Sequence, residues 1–511
     1  MRRTTAAAAL VLLAACGPQK VVVDPAIAGR ATLADADANV RAGCFDCLVE
    51  ALKQYESARS VPAVADVATL GAVRASTLLA LREREMGTTD SGYLDRARRL
   101  AASSVTVGQD VLPLIDVVDA LPWRGGLGTP SQLAVASPIY ANRAQRLESL
   151  RVSAQRDALS AYLYAAYACE SGAAFTMGNG ELRAALGPQA DLPLLTFRLA
   201  ICAGSGPGAI DRLVAADPRY KEIAFYKGLN ASSARKLDEA DARYREAYAW
   251  RATWPAVTLA IANVAMSAEE FEQSRAFYDE TLTLSPLFPD ALLGKLRALT
   301  YLVKSEDAMR VADQLIDLGR YPGDAHYWKA YNELQLERYD AAWADIEAAD
   351  RSLINSDVPK LAGIISINRQ RLDVARQKLE LSRQRNANDC QTLYYLHLVL
   401  ADLRQWPETV SGAVVAAGCI DAAATGLRSE IQTIRESDAP EARKMRQIAA
   451  REQQIAAGMR MRATCWFNGA VASFNLSKKD EAKGFAEKVA DDEQFGERAR
   501  QLLARLAASR P

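Results

Sequence analysis

Leu237-Asp238-Glu239-Ala240 opens a stretch that returns along the chain on a fixed step. Alignment on the small residue closing that tetrad gives Ala240, Ser274, Ala308, Ala342, Ala375 and Thr409, at intervals of 34, 34, 34, 33 and 34 residues. Six small positions in register across residues 221–409 mark an internal repeat. A step of this length fits one helix–turn–helix unit that hides its apolar face by stacking on its neighbours. In one copy Gly228, Ala240, Tyr244 and Ala247 stand 12, 4 and 3 apart; Ala262, Ser274, Tyr278, Thr281 and Pro286 repeat that spacing, and Gly363 with Ala375 do so later.

This small–small–aromatic–small pattern resembles the signature of the tetratricopeptide repeat family. The resemblance implies an all-α fold, a solenoid of stacked antiparallel helix pairs. Packing explains the signature. Gly or Ala on a first helix faces Ala on the second, so the backbones approach closely, and the aromatic one turn later fills the wider end of the wedge. Pro255, Pro289 and Pro359 stand at or near helix starts, where a missing N–H costs little. Thr253 and Asp357 are the expected caps of two of them.

Half of the 511 residues are apolar and 24% are charged, as in an ordinary folded protein. Lys plus Arg equals Asp plus Glu at 62 each, which argues against a surface built for nucleic acid or anionic lipid.

Met1-Arg2-Arg3, an apolar run from Ala6 to Ala15 and then Cys16 describe an export signal too short to span a membrane. Leu13-Ala14-Ala15-Cys16 resembles a bacterial lipobox. That resemblance implies removal of residues 1–15, acylation of Cys16 and a membrane contact made through the lipid alone; Gly17 after the cysteine favours the outer membrane. Residues 16–30 then read as a tether.

Residues 31–105 read as irregular helical repeats, with helices over 46–58, 63–86 and 93–104. Residues 106–148 carry Pro113, Pro122, Gly125, Gly126, Gly128, Pro130 and Pro138 and read as a loop-rich insertion containing Trp123. A helical pair follows over 149–207, at 149–170 and 190–203, around a Gly-rich turn at 171–189. The regular array occupies 208–420. Residues 421–511 supply a charged helical stretch at 425–462, a last repeat with Gly469 and Ala482, and an amphipathic capping helix over 493–508.

Eight cysteines in an exported chain point to disulfides. Cys390 opens one helix and Cys419 closes its antiparallel partner, which predicts a bond between them. Cys169 with Cys202, and Cys44 with Cys47, are further candidates, leaving Cys465 beside Trp466. Cys44-Phe45-Asp46-Cys47 also has the spacing of a redox motif, although the strands of a thioredoxin-like fold are missing around it.

No nucleophile–base motif, metal-ligand spacing or phosphate-binding glycine pattern is present, and His326 and His397 fall in different repeats. The sequence therefore calls for no enzyme activity, cofactor or metal. Binding is the expected business of the chain. Carried over from the tetratricopeptide family, the concave face falls to Phe225, Asn263, Arg297, Tyr301, Tyr327, Tyr331, Lys360, Asn368 and Tyr394. Tyrosines with an arginine and asparagines suit an extended peptide or a protein edge. The expected role is a lipid-anchored periplasmic adaptor holding proteins at the outer membrane. The rival is a lipoprotein that binds a glycan or small solute.

Overall fold

A computed structural model describes residues 24–88, 91–120, 143–170, 173–202 and 217–508. Among these residues there are helices and no strands. They divide into two compact units, one drawn from residues 1–82, 90–121 and 138–220 and the other chiefly from residue 221 onward.

The first unit begins with α1 (Pro25–Ala42), capped by Asp24, which accepts from the Ala26 N–H at 2.9 Å. The expected tether therefore ends by residue 24, and residues 25–30 are helix. Next come α2 (Phe45–Ala58) and α3 (Ala65–Met86). The αL turn at Gly43 separates α1 from α2. A Cys44–Cys47 disulfide spans the first turn of α2. Then follow α4 (Tyr93–Ala102) and α5 (Val105–Ala120).

The loop expected over 106–148 is thus helix at both ends. Pro113 sits inside α5, and the apolar residues Val111, Ile115 and Val118 are buried at helical spacing. Burial of that stripe outweighs the lost hydrogen bond. Residues 121–142, with Trp123 and most of the glycines, lie outside the described residues.

The unit continues with α6 (Arg143–Ala154), α7 (Ala158–Glu170), α8 (Ala173–Leu186) and α9 (Pro193–Cys202). The expected helix over 149–170 is broken in two, because Asp157 caps a new start by accepting from the Ser160 N–H and hydroxyl at 3.1 and 2.8 Å. The expected Gly-rich turn at 171–189 is mostly the helix α8, held by buried Leu182 and Leu186, followed by a 3-10 turn at Gly187–Asp191. Cys169 is buried. Its expected pairing with Cys202 involves a side chain outside the described residues.

The second unit is the repeat array. Its pairs are α10 (Ile223–Ser233) with α11 (Leu237–Trp250), α12 (Pro255–Ser267) with α13 (Phe271–Leu284), and α14 (Pro289–Tyr301) with α15 (Ser305–Asp317). Next come α16 (Pro322–Gln335) with α17 (Tyr339–Asp350), and α18 (Asp357–Asn368) with α19 (Leu372–Arg385). A sixth pair is formed by α20 (Cys390–Asp402) and α21 (Trp406–Glu436). The six aligned small residues, Ala240 to Thr409, are each 0% exposed, so the sequence register is the packing register. Serine and threonine fit there because their hydroxyls are satisfied: Ser274 Oγ donates to the Ala262 carbonyl at 2.9 Å, and Thr409 Oγ1 donates to the Gln405 carbonyl. This is a tetratricopeptide-type α-solenoid.

Each turn between paired helices passes through one left-handed residue: Arg235, Glu269, Val303, Glu337, Gln370 and Arg404, all with φ between 56° and 61°. The next amide closes a wide hydrogen bond back into the first helix, as Lys304 N–H does to the Leu299 carbonyl at 2.9 Å. Two expected caps are replaced. Trp254 occupies the cap position of α12, and Asn355 Oδ1 accepts from the Asp357 and Val358 amides at the start of α18.

The array does not stop near 420. The helix α21 runs unbroken for 31 residues, and after a turn at 437–440 α22 (Glu441–Asn475) returns along it for 35. A Cys390–Cys419 disulfide ties α20 to α21. The far tip of this hairpin meets the first two repeats. Arg443 Nε binds Glu270 at 3.0 Å and its Nη1 binds Asp238; Arg446 reaches Glu270 at 2.6 Å and Arg451 reaches Glu269 at 2.7 Å. A tie between non-adjacent repeats is unusual in a solenoid, whose units otherwise touch only their neighbours. The chain closes with α23 (Lys479–Glu487) and the capping α24 (Gly496–Ala508), which buries Phe495, Ala499 and Leu506.

Two stretches, Pro62–Met86 and Trp406–Glu436, are long and apolar enough to cross a membrane by length and composition. The first is mostly buried within the protein, and the second packs along α22.

Candidate functional site

Successive first helices, from α12 through α20, pack directly on one another more closely than successive second helices do. They therefore form the inner layer of the curve, and their outward-turned side chains make the concave face. On that face rings run continuously from one repeat to the next. Phe271 at the start of α13 stacks on Tyr301 at the end of α14, with centroids 4.7 Å apart and planes at 19°. Tyr301 meets Trp328 edge-on at 6.0 Å, and Trp328 meets Tyr327 at 5.3 Å and Tyr331 at 6.0 Å. Tyr301 remains 47% exposed, and Trp328, Tyr327 and Tyr331 are half-buried.

Arg297 lies one turn before Tyr301 on α14, with its guanidinium 5.9 Å from the Trp328 centroid. It is exposed and makes no ion pair among the described residues. A cation without an ion pair, over an indole and beside the exposed Tyr301 ring, suits an apolar segment that carries a carboxylate. Burial, then the neighbouring Asp357, pushes the Tyr327 hydroxyl well above its ordinary range, so it stays a protonated donor.

The other residues expected on this face divide. Asn263 is exposed, and its Oδ1 accepts from the Tyr278 hydroxyl at 2.6 Å, which spends part of its capacity on the repeat itself. Asn368 is exposed and donates to the Ile364 carbonyl at 2.9 Å. Lys360 is half-buried between Asp357 at 2.9 Å and Asp389 at 3.1 Å. Burial draws its pKa down, but the two carboxylates more than offset that and hold it up. Its charge is already answered, and Asp389 is itself occupied in capping α20. Tyr394 is half-buried beside Tyr395, against the cluster that contains Cys465 and Trp466.

Phe225 is a correction. It is 9% exposed and packs on Trp254 at 4.6 Å and Tyr244 at 5.9 Å, so it belongs to the core of the first repeat. A ring at a family groove position turned inward here because Trp254 at the next helix start supplies an aromatic wall. Two participants were not expected, Phe271 and Trp328. Trp328 carries a sequence signal, since it adjoins Tyr327 and lies three residues before Tyr331. Phe271 opens a second helix, and its place on the strip depends on packing between repeats.

The histidines sit apart from this strip's chemistry. His326 Nδ1 pairs with Asp345 at 2.6 Å. His397 is fully buried, and burial pulls its pKa down to about 4, so its ring is neutral. Cys465 is a buried free thiol whose pKa burial pushes up to about 12, an inert environment for it.

No family model matches the chain, and no curated protein matches its sequence. Several solved structures are similar to it. A tetratricopeptide repeat protein from Parabacteroides merdae is 13% identical, with 56% of this chain and 98% of that one covered and a TM-score of 0.34. A thermophilic tetratricopeptide repeat protein of Thermus thermophilus is 14% identical over 35% of this chain and 98% of its own, with a TM-score of 0.30. Yeast Tom70 is 12% identical over 81% of this chain and 100% of its own, with a TM-score of 0.32.

Proposed function

We propose that this tetratricopeptide-type solenoid is an adaptor that captures a protein or peptide along its concave face. The observation that carries the reading is the aromatic strip from Phe271 through Tyr301 to Trp328, Tyr327 and Tyr331, with Arg297 beside it. A strip of contacting rings, with Tyr301 exposed and the others half-buried, offers rigid contact area at low conformational cost. The partner is an extended segment carrying apolar residues and at least one Asp or Glu for Arg297.

The proposal extends to place. Leu13-Ala14-Ala15-Cys16 supports export and acylation at Cys16, and Gly17 supports an array held on the periplasmic side of the outer membrane with lipid as its membrane contact. Balanced charge speaks against nucleic acid as the partner. Radiolabelled palmitate incorporation into wild-type protein and its absence from Cys16→Ala tests the anchor. Affinity capture from crosslinked membranes followed by mass spectrometry tests the adaptor role. Recovery of an envelope protein that is lost from Trp328→Ala supports it, and an identical set of captured proteins from both contradicts it.

A further inference from the structure

The first unit contains a cavity of about 450 Å³, bounded by α1, α2, α3, the start of α7 and the 3-10 turn before α9. Its size lies within the range of small-molecule sites, about 300–1,000 Å³. Three guanidinium groups line it, those of Arg41, Arg74 and Arg156, against two carboxylates, Asp37 and Asp157. Both carboxylates are committed elsewhere. Asp37 Oδ1 accepts from the buried Tyr55 hydroxyl. Asp157 accepts from the Ser160 amide and hydroxyl at the start of α7, and Arg74 stands 3.8 Å from it.

The arginines keep spare capacity. Arg74 Nε is buried without a hydrogen-bond partner. Neither Arg41 nor Arg156 makes an ion pair with any described residue. The remaining wall is mostly apolar, with Leu70, Leu78 and Leu192 among its members and Gln189 from the 3-10 turn. Tyr55, also in the lining, packs directly on the bare backbone of Gly71, where a Cβ would meet its ring at 2.3 Å.

Three converging guanidinium groups with a single long ion pair among them, over an aliphatic wall, specify a ligand with an anionic head and a short apolar tail. We propose that this cavity binds a small amphipathic organic anion, its carboxylate or phosphate held by Arg41, Arg74 and Arg156 and its tail laid on the leucines. The site is separate from the aromatic strip, and its failure leaves the adaptor reading untouched.

The test is calorimetric titration of the whole chain with octanoate, octyl phosphate and the neutral octanamide. The expected result is 1:1 binding of at least one anion, at least tenfold weaker binding of octanamide, and at least tenfold loss in Arg41→Met and in Arg74→Met. Arg41 is exposed, so its variant keeps the fold even if the Arg74 variant does not, as circular dichroism will show. The better of the two anions identifies the head group. Equal binding of octanamide and octanoate, unchanged affinity in folded Arg41→Met, or no saturable heat from either anion at millimolar concentration overturns the proposal.

Discussion

The ring of Tyr278 lies where a side chain on Gly294 would have to be: a Cβ built there meets Tyr278 Cζ at 2.1 Å. Tyr244 stands in the same relation to Gly228 at 2.4 Å. In one case the aromatic presses on the first helix of its own repeat, in the other on that of the next, and the wedge closes both ways. Gly294→Ala forces a buried, 2%-exposed ring to move and is expected to cost about 1–3 kcal/mol, read as a lower midpoint in urea unfolding. An unchanged midpoint would show that the ring has room to yield.

Val303 occupies the left-handed turn between α14 and α15 with φ 59° and is 77% exposed. A β-branched residue in that conformation is strained by roughly 1–2 kcal/mol, and its exposed side chain gives little packing in return. Val303→Gly is expected to raise stability by about 1 kcal/mol after the entropy of the freer unfolded chain is subtracted. A fall in stability would mean that the valine packs in a way its exposure conceals.

Glu333 on α16 is 6% exposed and shares its surroundings with Asp345, Lys329 and His326. Burial first, then the charge of Asp345, pushes its pKa up to about 7. The folded state thus prefers the protonated acid. Its contribution is fully present below the ordinary glutamate range and is lost as pH rises through about 7. Glu333→Gln is expected to flatten that decline, gaining stability relative to wild type at pH 8 and little at pH 4. Parallel stability–pH curves for the two proteins would refute the assignment.

The hairpin tip is held by charge. Arg443 and Glu270 have side chains only 13% and 14% exposed, so salt screens them less than an open surface pair. Arg443→Glu puts a third carboxylate beside Glu270 and Asp238 and is expected to cost about 2 kcal/mol or more. Combining it with Glu270→Arg is expected to restore only part of the loss, because the swap remakes one pair but sets the new arginine beside Arg446 and the new glutamate beside Asp238. Small-angle scattering provides the independent readout: the radius of gyration rises in the single variant and falls part of the way back in the double. The same radius in all three would mean the tip does not hold the repeats.

What the sequence made legible follows from distance along the chain. The repeat register was readable because its cause is local: a small residue every 34 positions has to meet a neighbouring backbone, and all six are buried. The Cys390–Cys419 pairing was readable for the same reason, since α21 turns back along α20 and sets Cys419 opposite Cys390, although α21 then runs on past it to Glu436. The hairpin clasp was not, because Arg443 and Asp238 are ordinary surface residues 205 positions apart until folding joins them. Pro113 and the glycines of 173–186 pointed to loops, yet buried Ile115, Val118, Leu182 and Leu186 drew both segments into helix. On the concave face tyrosines were legible from family positions. Phe271 was not, since its exposure to Tyr301 depends on how one repeat leans on the next.

The most direct test of the account places a photo-crosslinking amino acid at Tyr301 on the concave face, and in a second protein at Ala344, exposed on α17 of the outer layer. Both are irradiated in intact cells. The account predicts a discrete higher-mass adduct containing a second protein from position 301 and none from position 344. Adducts from 344 alone, or the same adducts from both, would contradict the claim that the aromatic strip is where this protein holds its partner.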